Sequence, residues 1–275
     1  KSLEITIELA QEYGKLATKF LKGPHELEYE KTFYPFCLLS KKRYVGSLYE
    51  EDVNKCYRKS MGIVLKRRDN APVVKDIYGG IIDILMEQQD MSAAVKFAKD
   101  MIKKLLNGNF NEKKLLITKS LRGNYKNPDS IAHAVLAKRI KIRDPGNDIK
   151  PGSRIGYMYI TAPKKAKQGD RIETPEFIKE NSLEIDYKFY LEHQVMKPIL
   201  QLFGLVLEKI PEFKRKLRDF QRKKKTLQQT CDTEEIFTKK LEKIIHKEVE
   251  TILCKTIITQ AENKKKNQRD ISSFF

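Results

Sequence analysis

The sequence predicts a mixed α+β fold in which helices predominate. A 3.6-residue apolar period near the amino terminus is typical of an amphipathic helix. The stretch after it is rich in aromatic and β-branched residues, as paired strands are. Long periodic apolar segments beyond residue 70 predict further helices. A chain of 275 residues with 40% hydrophobic and 33% charged side chains is long enough to bury one good core, or one large and one small.

The first helix is predicted over residues 3–20, and Gly23-Pro24 should end it. Residues 25–51 predict two paired strands joined near Ser40.

The beginning of this strand region alternates acidic residues with other side chains. A strand there would place three carboxylates on one face, those of Glu26, Glu28 and Glu30. We expect an ordinary strand edge, and the alternative is proximity to a metal site.

Residues 70–107 predict two helices that are divided around Gln89, Asp90 and Met91. Asp90 is the expected N-cap of the second helix. Gly108 should stop that helix.

Between residues 115 and 160 the pattern is mixed. Residues 115–117 and 154–160 predict short strands, and residues 130–139 predict a helix between them. A loop marked by Pro145 and Gly152 precedes the second strand.

The last third is helical in pattern. Residues 183–210 form a long apolar periodic stretch that Pro198 should kink or split. Residues 214–225, KRKLRDFQRKKK, form a dense basic run, and residues 233–261 predict another helix. The final stretch, ENKKKNQRDISSFF, loses periodicity and is expected to be a mobile tail.

The charge balance indicates a polyanionic partner. Lys and Arg number 55 against 37 Asp and Glu, which gives a net charge of +18 spread along the chain. Nucleic acid fits this balance best, and the alternative is that excess lysine only keeps the protein soluble. No run of about 18 apolar residues occurs, so no membrane partner is expected.

Cysteine and histidine usage does not favour metal binding. Cys37, Cys56, Cys231 and Cys254 are widely separated, and none belongs to a CxxC pair. None of the four histidines belongs to an HExxH sequence. A reducing compartment fits these free cysteines best.

The segment KKRY, residues 41–44, directly follows the first predicted strand. Its cationic side chains would project from a rigid edge, and its tyrosine would add a flat ring that can form hydrogen bonds. Cations of this kind neutralise phosphates or donate to minor-groove acceptors, so the segment suits duplex DNA without sequence preference. Alone, the tetrapeptide is also typical of a solvated hairpin turn.

Five blocks in a fixed order make the segment more specific. They are LEYEKTFYPFCLLSKKRYVGSLYE, GIVLKRRDNAPVV, LLITKSL, YKNPDSIAHAVLAKRIKIRDPGNDIKPGSRIGYMYI and DYKFYLEHQVMKPILQLF. This order resembles the carboxyl-terminal third of family B DNA polymerases of the archaeal or large DNA virus type.

The resemblance implies a domain organisation. Residues 1–70 would be the β-containing end of the palm, and residues 71–210 a mainly helical thumb. A basic helical extension at 211–262 and the tail at 263–275 would follow.

The resemblance also implies DNA contacts at the KKRY segment. Lys42 and Tyr44 would contact the primer strand near its growing end, with Lys41 and Arg43 in support.

Further contacts are implied where the palm passes into the thumb. Arg67 and Arg68 would either pair with Asp69 or reach phosphate, since guanidinium groups suit both. Thr118 and Lys119 resemble the entry to the thumb, and Lys119 is the expected DNA contact there. A packing role is expected for His133 and for the strand at 154–160.

The chain lacks the catalytic part of such an enzyme. Family B polymerases hold two Mg²⁺ ions on aspartates, one of them in a tyrosine-flanked DTD turn. The nearest match here is CDTE at residues 231–234, in a polar helical region, and the nucleotide-binding fingers block is absent. We therefore expect no catalytic residue in this chain, with Mg²⁺ and deoxynucleoside triphosphates bound by residues outside it.

The last eight residues, QRDISSFF, match a clamp-binding pattern. Ile271, Phe274 and Phe275 would enter a hydrophobic pocket of a sliding clamp of the PCNA type, and Gln268 would dock beside it. Spacings of three and four place these residues on one face of a short helix.

The expected function is that of a DNA-directed DNA polymerase fragment, inactive alone, that holds primer–template duplex and binds a clamp. The alternative is a non-enzymatic DNA-binding or clamp-associated replication subunit. The expected location is the nucleus or a viral replication site, or the cytoplasm of a prokaryote.

Overall fold

Helices and two antiparallel three-stranded sheets form the protein, which confirms the predicted α+β class. The structure is a computed structural model that describes residues 2–146, 149–163 and 165–265. It divides into two compact units. Unit 1 comprises Lys1–Lys66 with Met86–Gln88, and unit 2 comprises Arg67–Leu85 with Gln89–Phe275.

Unit 1 consists of one helix followed by a sheet. Helix α1 spans Ser2–Thr18, and strands β1 (Thr32–Ser40), β2 (Arg43–Tyr49) and β3 (Cys56–Met61) form the sheet in that order. The predicted helix and hairpin are therefore confirmed. Strand β3 was not predicted, because its sequence CYRKSM has no run of apolar or β-branched residues.

The strand predicted to carry Glu26, Glu28 and Glu30 is wrong, since residues 25–31 form no strand. Within this segment the backbone of Leu27 bonds to the end of α1. The Leu27 N–H donates to Thr18 Oγ1 at 3.0 Å. The alternating pattern therefore reflects an extended segment that runs back along the helix.

Unit 2 begins with the two predicted helices. Helix α2 spans Pro72–Asp83 and passes into a π-helical turn at Ile84–Gln88, and α3 spans Met91–Leu106. The predicted cap is confirmed, because the Asp90 carboxylate accepts hydrogen bonds from two backbone N–H groups of the first turn at 2.8 and 3.1 Å. Gly108 ends the segment with a φ of +72°.

The second sheet follows in chain order with two helices. It contains β4 (Ile117–Ser120), β5 (Arg154–Tyr159) and β6 (Ile172–Glu173). Helix α4 (Ala132–Arg143) lies between the first two strands in sequence, and α5 (Pro175–Glu180) follows the third. The predicted elements are confirmed in type, but their bounds were wrong.

Two of these shifts have local causes. The first strand begins at Ile117 rather than at 115, because a 3-10 turn at Glu112–Lys114 ends at Leu115. The helix predicted to end at 139 continues to Arg143, whose guanidinium binds the buried carboxylate of Glu173 at 2.7 and 3.1 Å.

The long apolar stretch at 183–210 is interrupted, as predicted, but before the proline. A short helix α6 (Tyr187–Phe189) passes into a π-helical turn (Tyr190–Val195) and then into α7 (Met196–Leu205). Pro198 is the third residue of α7. Proline has no N–H to donate to the preceding turn, so the irregularity lies on its amino-terminal side.

Three helices form the end of unit 2. They are α8 (Leu217–Thr230), α9 (Glu234–Leu253) and α10 (Lys255–Lys265). The helix predicted over 233–261 is therefore split at Cys254. The side chain of Thr233 caps α9, accepting from the Ile236 N–H at 3.4 Å. This confirms that the CDTE segment belongs to a helical region.

The core of unit 2 is held by apolar packing and by one buried tyrosine. Tyr190 is fully buried, and its hydroxyl donates to the Leu115 carbonyl at 2.7 Å. The same hydroxyl accepts from the Tyr159 N–H at 3.0 Å. The burial of this hydroxyl raises the pKa of Tyr190. The tyrosine thus ties the second sheet and the turn before it to the helical segment that continues into α7.

Candidate nucleic-acid interface

The KKRY segment forms the tip of the β1–β2 hairpin in unit 1. Ser40 pairs with Arg43, so Lys41 and Lys42 are the turn residues. The side chains of Lys41, Lys42 and Arg43 are exposed. Lys42 has a φ of 62°, which is uncommon for a residue other than glycine. The hairpin therefore presents three cations from a turn of fixed conformation.

The ring of Tyr44 packs against other aromatic rings of the sheet. Its ring centroid is 5.7 Å from that of Phe33 and 5.6 Å from that of Phe36. Phe36 is 46% exposed, and Tyr44 is half-buried. The tyrosine is thus held on a partly exposed aromatic surface directly beside the three cations.

A glycine packs against the turn. Gly62 follows β3 and has a φ of +64°, and a Cβ atom at this position would overlap the Lys42 carbonyl oxygen. It would also lie 3.1 Å from Arg43 Cγ. Only glycine accommodates both the backbone angle and the close approach.

Unit 2 contains a basic cleft of about 660 Å³. Its cations come from the segment before α2, from β4 and the loop after it, and from the start of β5. They are Arg67, Arg68, Lys119, Arg122 and Arg154. We call this surface the basic cleft. Asp69 is the one carboxylate among its described lining residues, so the cleft carries a clear excess of positive charge.

Sheet pairing brings distant parts of the chain to the basic cleft. Ser120 pairs with Arg154 across β4 and β5, and Lys119 pairs with Ile155. The Arg154 guanidinium donates to the Thr118 carbonyl and hydroxyl oxygens, each at 3.2 Å. These bonds hold the guanidinium against β4 while the residue stays exposed.

Arg67 and Arg68 differ in their contacts. Arg67 donates to both oxygens of Asp69, from Nε at 3.0 Å and from Nη2 at 2.7 Å. This pairing lowers the pKa of the Asp69 carboxyl and raises the pKa of Arg67. Arg68 is exposed and forms no ion pair with any described residue. Pairing is thus observed for Arg67, whereas Arg68 has no ion-pair partner in the described part of the chain.

His133 and Tyr125 form the polar wall of the basic cleft. The Tyr125 hydroxyl lies 3.0 Å from His133 Nε2 and accepts from the Arg122 N–H at 2.8 Å. Burial lowers the pKa of His133, and the charges of Lys119 and Arg122 lower it further. The neutral imidazole is therefore favoured in the absence of a bound anion.

The predicted DNA-binding residues fall in two places. Lys41, Lys42, Arg43 and Tyr44 lie together on the hairpin of unit 1, and Arg67, Arg68 and Lys119 lie together in the basic cleft of unit 2. Sequence reasoning missed Arg122 and Tyr125 in the cleft. It also assigned His133 and the strand beginning at Arg154 to packing, whereas both residues line the cleft. Gln268, Ile271, Phe274 and Phe275 lie outside the described residues.

The described residues contain neither a candidate metal-binding cluster nor a candidate membrane-spanning helix. No group of three or more His, Cys, Asp or Glu side chains within them could hold one. Likewise, no helix in the described part is long and apolar enough to cross a membrane.

A sequence model described as DNA polymerase family B matches residues 1–206. This match covers most of the chain, so the chain belongs to DNA polymerase family B, and the predicted membership is confirmed. The basic hairpin and the basic cleft both lie within the matched residues.

More particularly, the chain is similar to polymerases of large DNA viruses. It is 48% identical over 281 residues to the DNA polymerase of Pyramimonas orientalis virus, covering 100% of this chain and 23% of the relative. It is 45% identical over 214 residues to the DNA polymerase of Acanthamoeba polyphaga mimivirus, covering 76% of this chain and 12% of the relative.

The chain is also similar to a cellular relative and, in fold, to a solved structure. The DNA polymerase delta catalytic subunit of Drosophila melanogaster is 35% identical over 208 residues, covering 75% of this chain and 19% of the relative. The family B DNA polymerase structure from Pyrobaculum calidifontis shares the fold, with a TM-score of 0.52 and 20% identity over 67% of this chain and 23% of that one. The chain thus spans less than a quarter of these relatives' lengths.

Proposed function

We propose that the chain is the carboxyl-terminal part of a DNA-directed DNA polymerase and that it holds the primer–template duplex while a deoxynucleotide is added. In this proposal residues 1–70 are the end of the palm and residues 71–210 the thumb. Family membership and the polymerase names of the relatives support the activity. The observation that carries the holding role is the basic cleft, whose described lining residues include five Lys and Arg side chains and one carboxylate.

The chemistry of the cleft suits a phosphate backbone. Arginine guanidinium groups donate planar pairs of N–H bonds that match phosphate oxygens, and each neutralised phosphate releases counterions. Arg68 and Arg122 are exposed, and neither forms an ion pair with any residue in the described ranges. These two residues are therefore available to a phosphate without breaking an existing bond.

The hairpin tip supplies the second part of the proposed grip. Lys41, Lys42 and Arg43 are exposed beside the partly exposed ring of Tyr44. Lys42 and Tyr44 would contact the primer strand, in agreement with the sequence resemblance. Such contacts to backbone or minor-groove acceptors would give binding without sequence preference.

Binding by the cleft is tested with fluorescence anisotropy of a labelled primer–template duplex over a range of salt concentrations. Arg68→Gln with Arg122→Gln should weaken binding and lower the slope of log affinity against log salt by about 0.9 for each phosphate that is no longer neutralised. A control with the same change in charge is Lys240→Gln with Lys243→Gln, both exposed on α9. Equal effects of the two pairs would contradict the role of the cleft.

The role of the hairpin is tested separately. Lys42→Ala in a full-length polymerase that contains this chain should weaken primer–template binding and leave sequence preference almost unchanged. Extension and binding that both equal those of the parent enzyme would contradict the proposal.

The remaining parts of the proposal concern groups outside the described residues. Mg²⁺ ions and deoxynucleoside triphosphates would be bound by other parts of the polymerase, as the resemblance in sequence implies. Replication would take place in the nucleus or at a viral replication site, as the viral and animal relatives indicate.

We also propose that the tail binds a sliding clamp of the PCNA type through Gln268, Ile271, Phe274 and Phe275. Phe274→Ala with Phe275→Ala should abolish clamp-stimulated synthesis in the full-length enzyme and spare synthesis without the clamp. A matched loss of both activities would argue against a clamp-binding tail.

A further inference from the structure

Helix α8 carries a concentrated positive charge that the proposed grip does not use. Residues 214–225 contain eight Lys and Arg residues and one acidic residue, Asp219. Arg218, Arg222 and Lys225 are spaced by four and three residues, so they lie on one face of the helix. All three side chains are exposed. We call these three residues the α8 stripe.

The α8 stripe faces away from the core of unit 2. The opposite face of α8 carries Phe220, which is 6% exposed and packs edge-to-face against buried Phe213 with ring centroids 5.3 Å apart. At 100° per residue, Arg218 and Arg222 lie on the side of the helix away from Phe220. The packing of the aromatic face thus leaves the stripe in solvent.

The helix is held in place by its neighbours. Lys216, just before α8, forms an ion pair of 2.7 Å with Glu248 of α9. Helix α9 in turn packs on α7, where Val249 and Leu253 are buried and the Cys254 thiol contacts the Met196 sulfur at 3.2 Å. The stripe is therefore a fixed surface of unit 2.

The positive charges of the α8 stripe are not paired with carboxylates of the described residues, whereas helix α9 contains an ion pair. Like charges at i,i+4 destabilise a helix, and Arg218 and Arg222 form such a pair. Within the described ranges no residue of the stripe forms an ion pair. Helix α9 instead pairs Glu235 with Lys239 at 3.9 Å. A polyanionic partner would relieve the repulsion on α8.

The composition of this face favours nucleic acid over a protein partner. The residues around the stripe on its exposed side are polar, such as Gln221, Thr226 and Gln229. Protein–protein interfaces have a core of aromatic and apolar residues and few charges, whereas backbone contacts to DNA need only cations and polar donors. The α8 stripe has the composition expected of a surface that contacts the DNA backbone.

The extension is also separate from the matched family region. The family match ends at residue 206, before α8, whereas the alignment with the Pyramimonas orientalis virus polymerase covers the whole chain. A role for α8 is therefore not carried over from the family.

We propose that the α8 stripe is an additional duplex-binding surface, which contacts the phosphate backbone of DNA without reading bases. The proposal rests on the proposed duplex-holding function and adds a site to it. Each residue of the stripe would neutralise a phosphate, so its contribution would be strongest at low salt.

The test measures binding of a labelled DNA duplex by the 275-residue chain over a range of salt concentrations. Arg218→Gln, Arg222→Gln and Lys225→Gln together should lower the slope of log affinity against log salt by about 2–3, because each cation that neutralises a phosphate adds about 0.9 to the slope. The matched control is Lys240→Gln, Lys243→Gln and Lys247→Gln, which removes the same charge from exposed positions on α9. That control should leave the slope almost unchanged.

A charge-conserving variant guards against loss of folding. Arg218→Lys with Arg222→Lys should retain most of the binding, because backbone contact depends on charge more than on the guanidinium fork. Equal effects of the α8 and α9 triple variants would overturn the proposal, as would unchanged duplex binding by the α8 triple variant. A parent chain that binds no duplex would instead overturn the duplex-holding function itself.

Discussion

The two units differ in how completely they bury their apolar side chains. In unit 2, helices α2, α3 and α7 bury nearly continuous apolar faces, and Ile81, Ile102 and Phe203 have no exposed surface. In unit 1 the described residues include several large apolar side chains that are exposed. These are Ile5, Leu9, Tyr13, Leu16, Phe20, Leu21, Leu27, Tyr34, Phe36, Leu38, Tyr57 and Met61.

The exposed apolar residues of unit 1 are not scattered. Ile5, Leu9, Tyr13 and Leu16 follow the helical period of α1, so they form one stripe. A continuous apolar stripe is typical of a surface that packs against further protein. Periodicity alone predicts an amphipathic helix, but it does not tell whether the apolar side is covered.

The largest expected difference between the units is in the cost of removing a phenylalanine. Phe203→Ala in α7 should destabilise unit 2 by about 3–5 kcal/mol, because it leaves a cavity in a fully buried site. Phe36→Ala, at a side chain that is 46% exposed, should cost about 1 kcal/mol or less. Hydrogen exchange of amides in α7 and β2 measures the two effects separately. Similar costs would show that the aromatic surface of unit 1 is as well packed as the core of unit 2.

A smaller effect is expected from the buried hydroxyl of unit 2. Tyr190→Phe removes the partner of both the Leu115 carbonyl and the Tyr159 N–H, so it should cost about 1–3 kcal/mol. Urea unfolding followed by circular dichroism measures this change in stability. Tyr13→Phe in α1, where the side chain is 64% exposed, is the control and should have almost no effect. An equally small effect of Tyr190→Phe would show that these backbone groups find other partners.

The smallest expected effect comes from the Arg67–Asp69 pair, because both side chains are partly exposed. The pKa of Asp69 is lowered in the folded protein, first by the hydrogen bond from Arg67. Its contribution to stability is therefore present above the ordinary pKa of the carboxyl and is lost as the pH falls through the lowered value. Asp69→Asn should cost about 1 kcal/mol or less at neutral pH.

The pH dependence of that cost is measured by urea unfolding of both proteins from neutral to acidic pH. The stabilities of Asp69→Asn and the parent should converge in acid. A constant difference at every pH would indicate that packing of residue 69, and not its charge, stabilises this segment.

Local sequence patterns were sufficient to predict most helices and strands of the fold. Helical periodicity predicted α1, α3 and α9, and the side chain of Asp90 marked the start of α3. Strand β3 could not be predicted in this way, because CYRKSM is polar and is a strand only through its pairing with β2. Which strand a polar segment will pair with is not encoded in the residues of that segment, even when the partner is the neighbouring strand in the chain.

The same limit applies to the candidate site. The KKRY segment is contiguous, so the sequence alone presented it as a basic group. The basic cleft is assembled by the β4–β5 register, which places Arg154 opposite Ser120. Arg122 in an irregular loop gave no local signal beyond its charge. Only the resemblance to a family indicated Arg68 and Lys119.

The contact between Gly62 and Lys42 separates the position of the hairpin tip from its charge. Gly62 carries no charge, yet the space it leaves empty sets how closely the Lys42 carbonyl can approach. A methyl group at residue 62 would force the backbone at the tip to shift and would change no ionisable group. Lys42→Ala would instead remove a charge and add no atom that clashes with the backbone. The position of this turn and its charge can therefore be changed by separate substitutions.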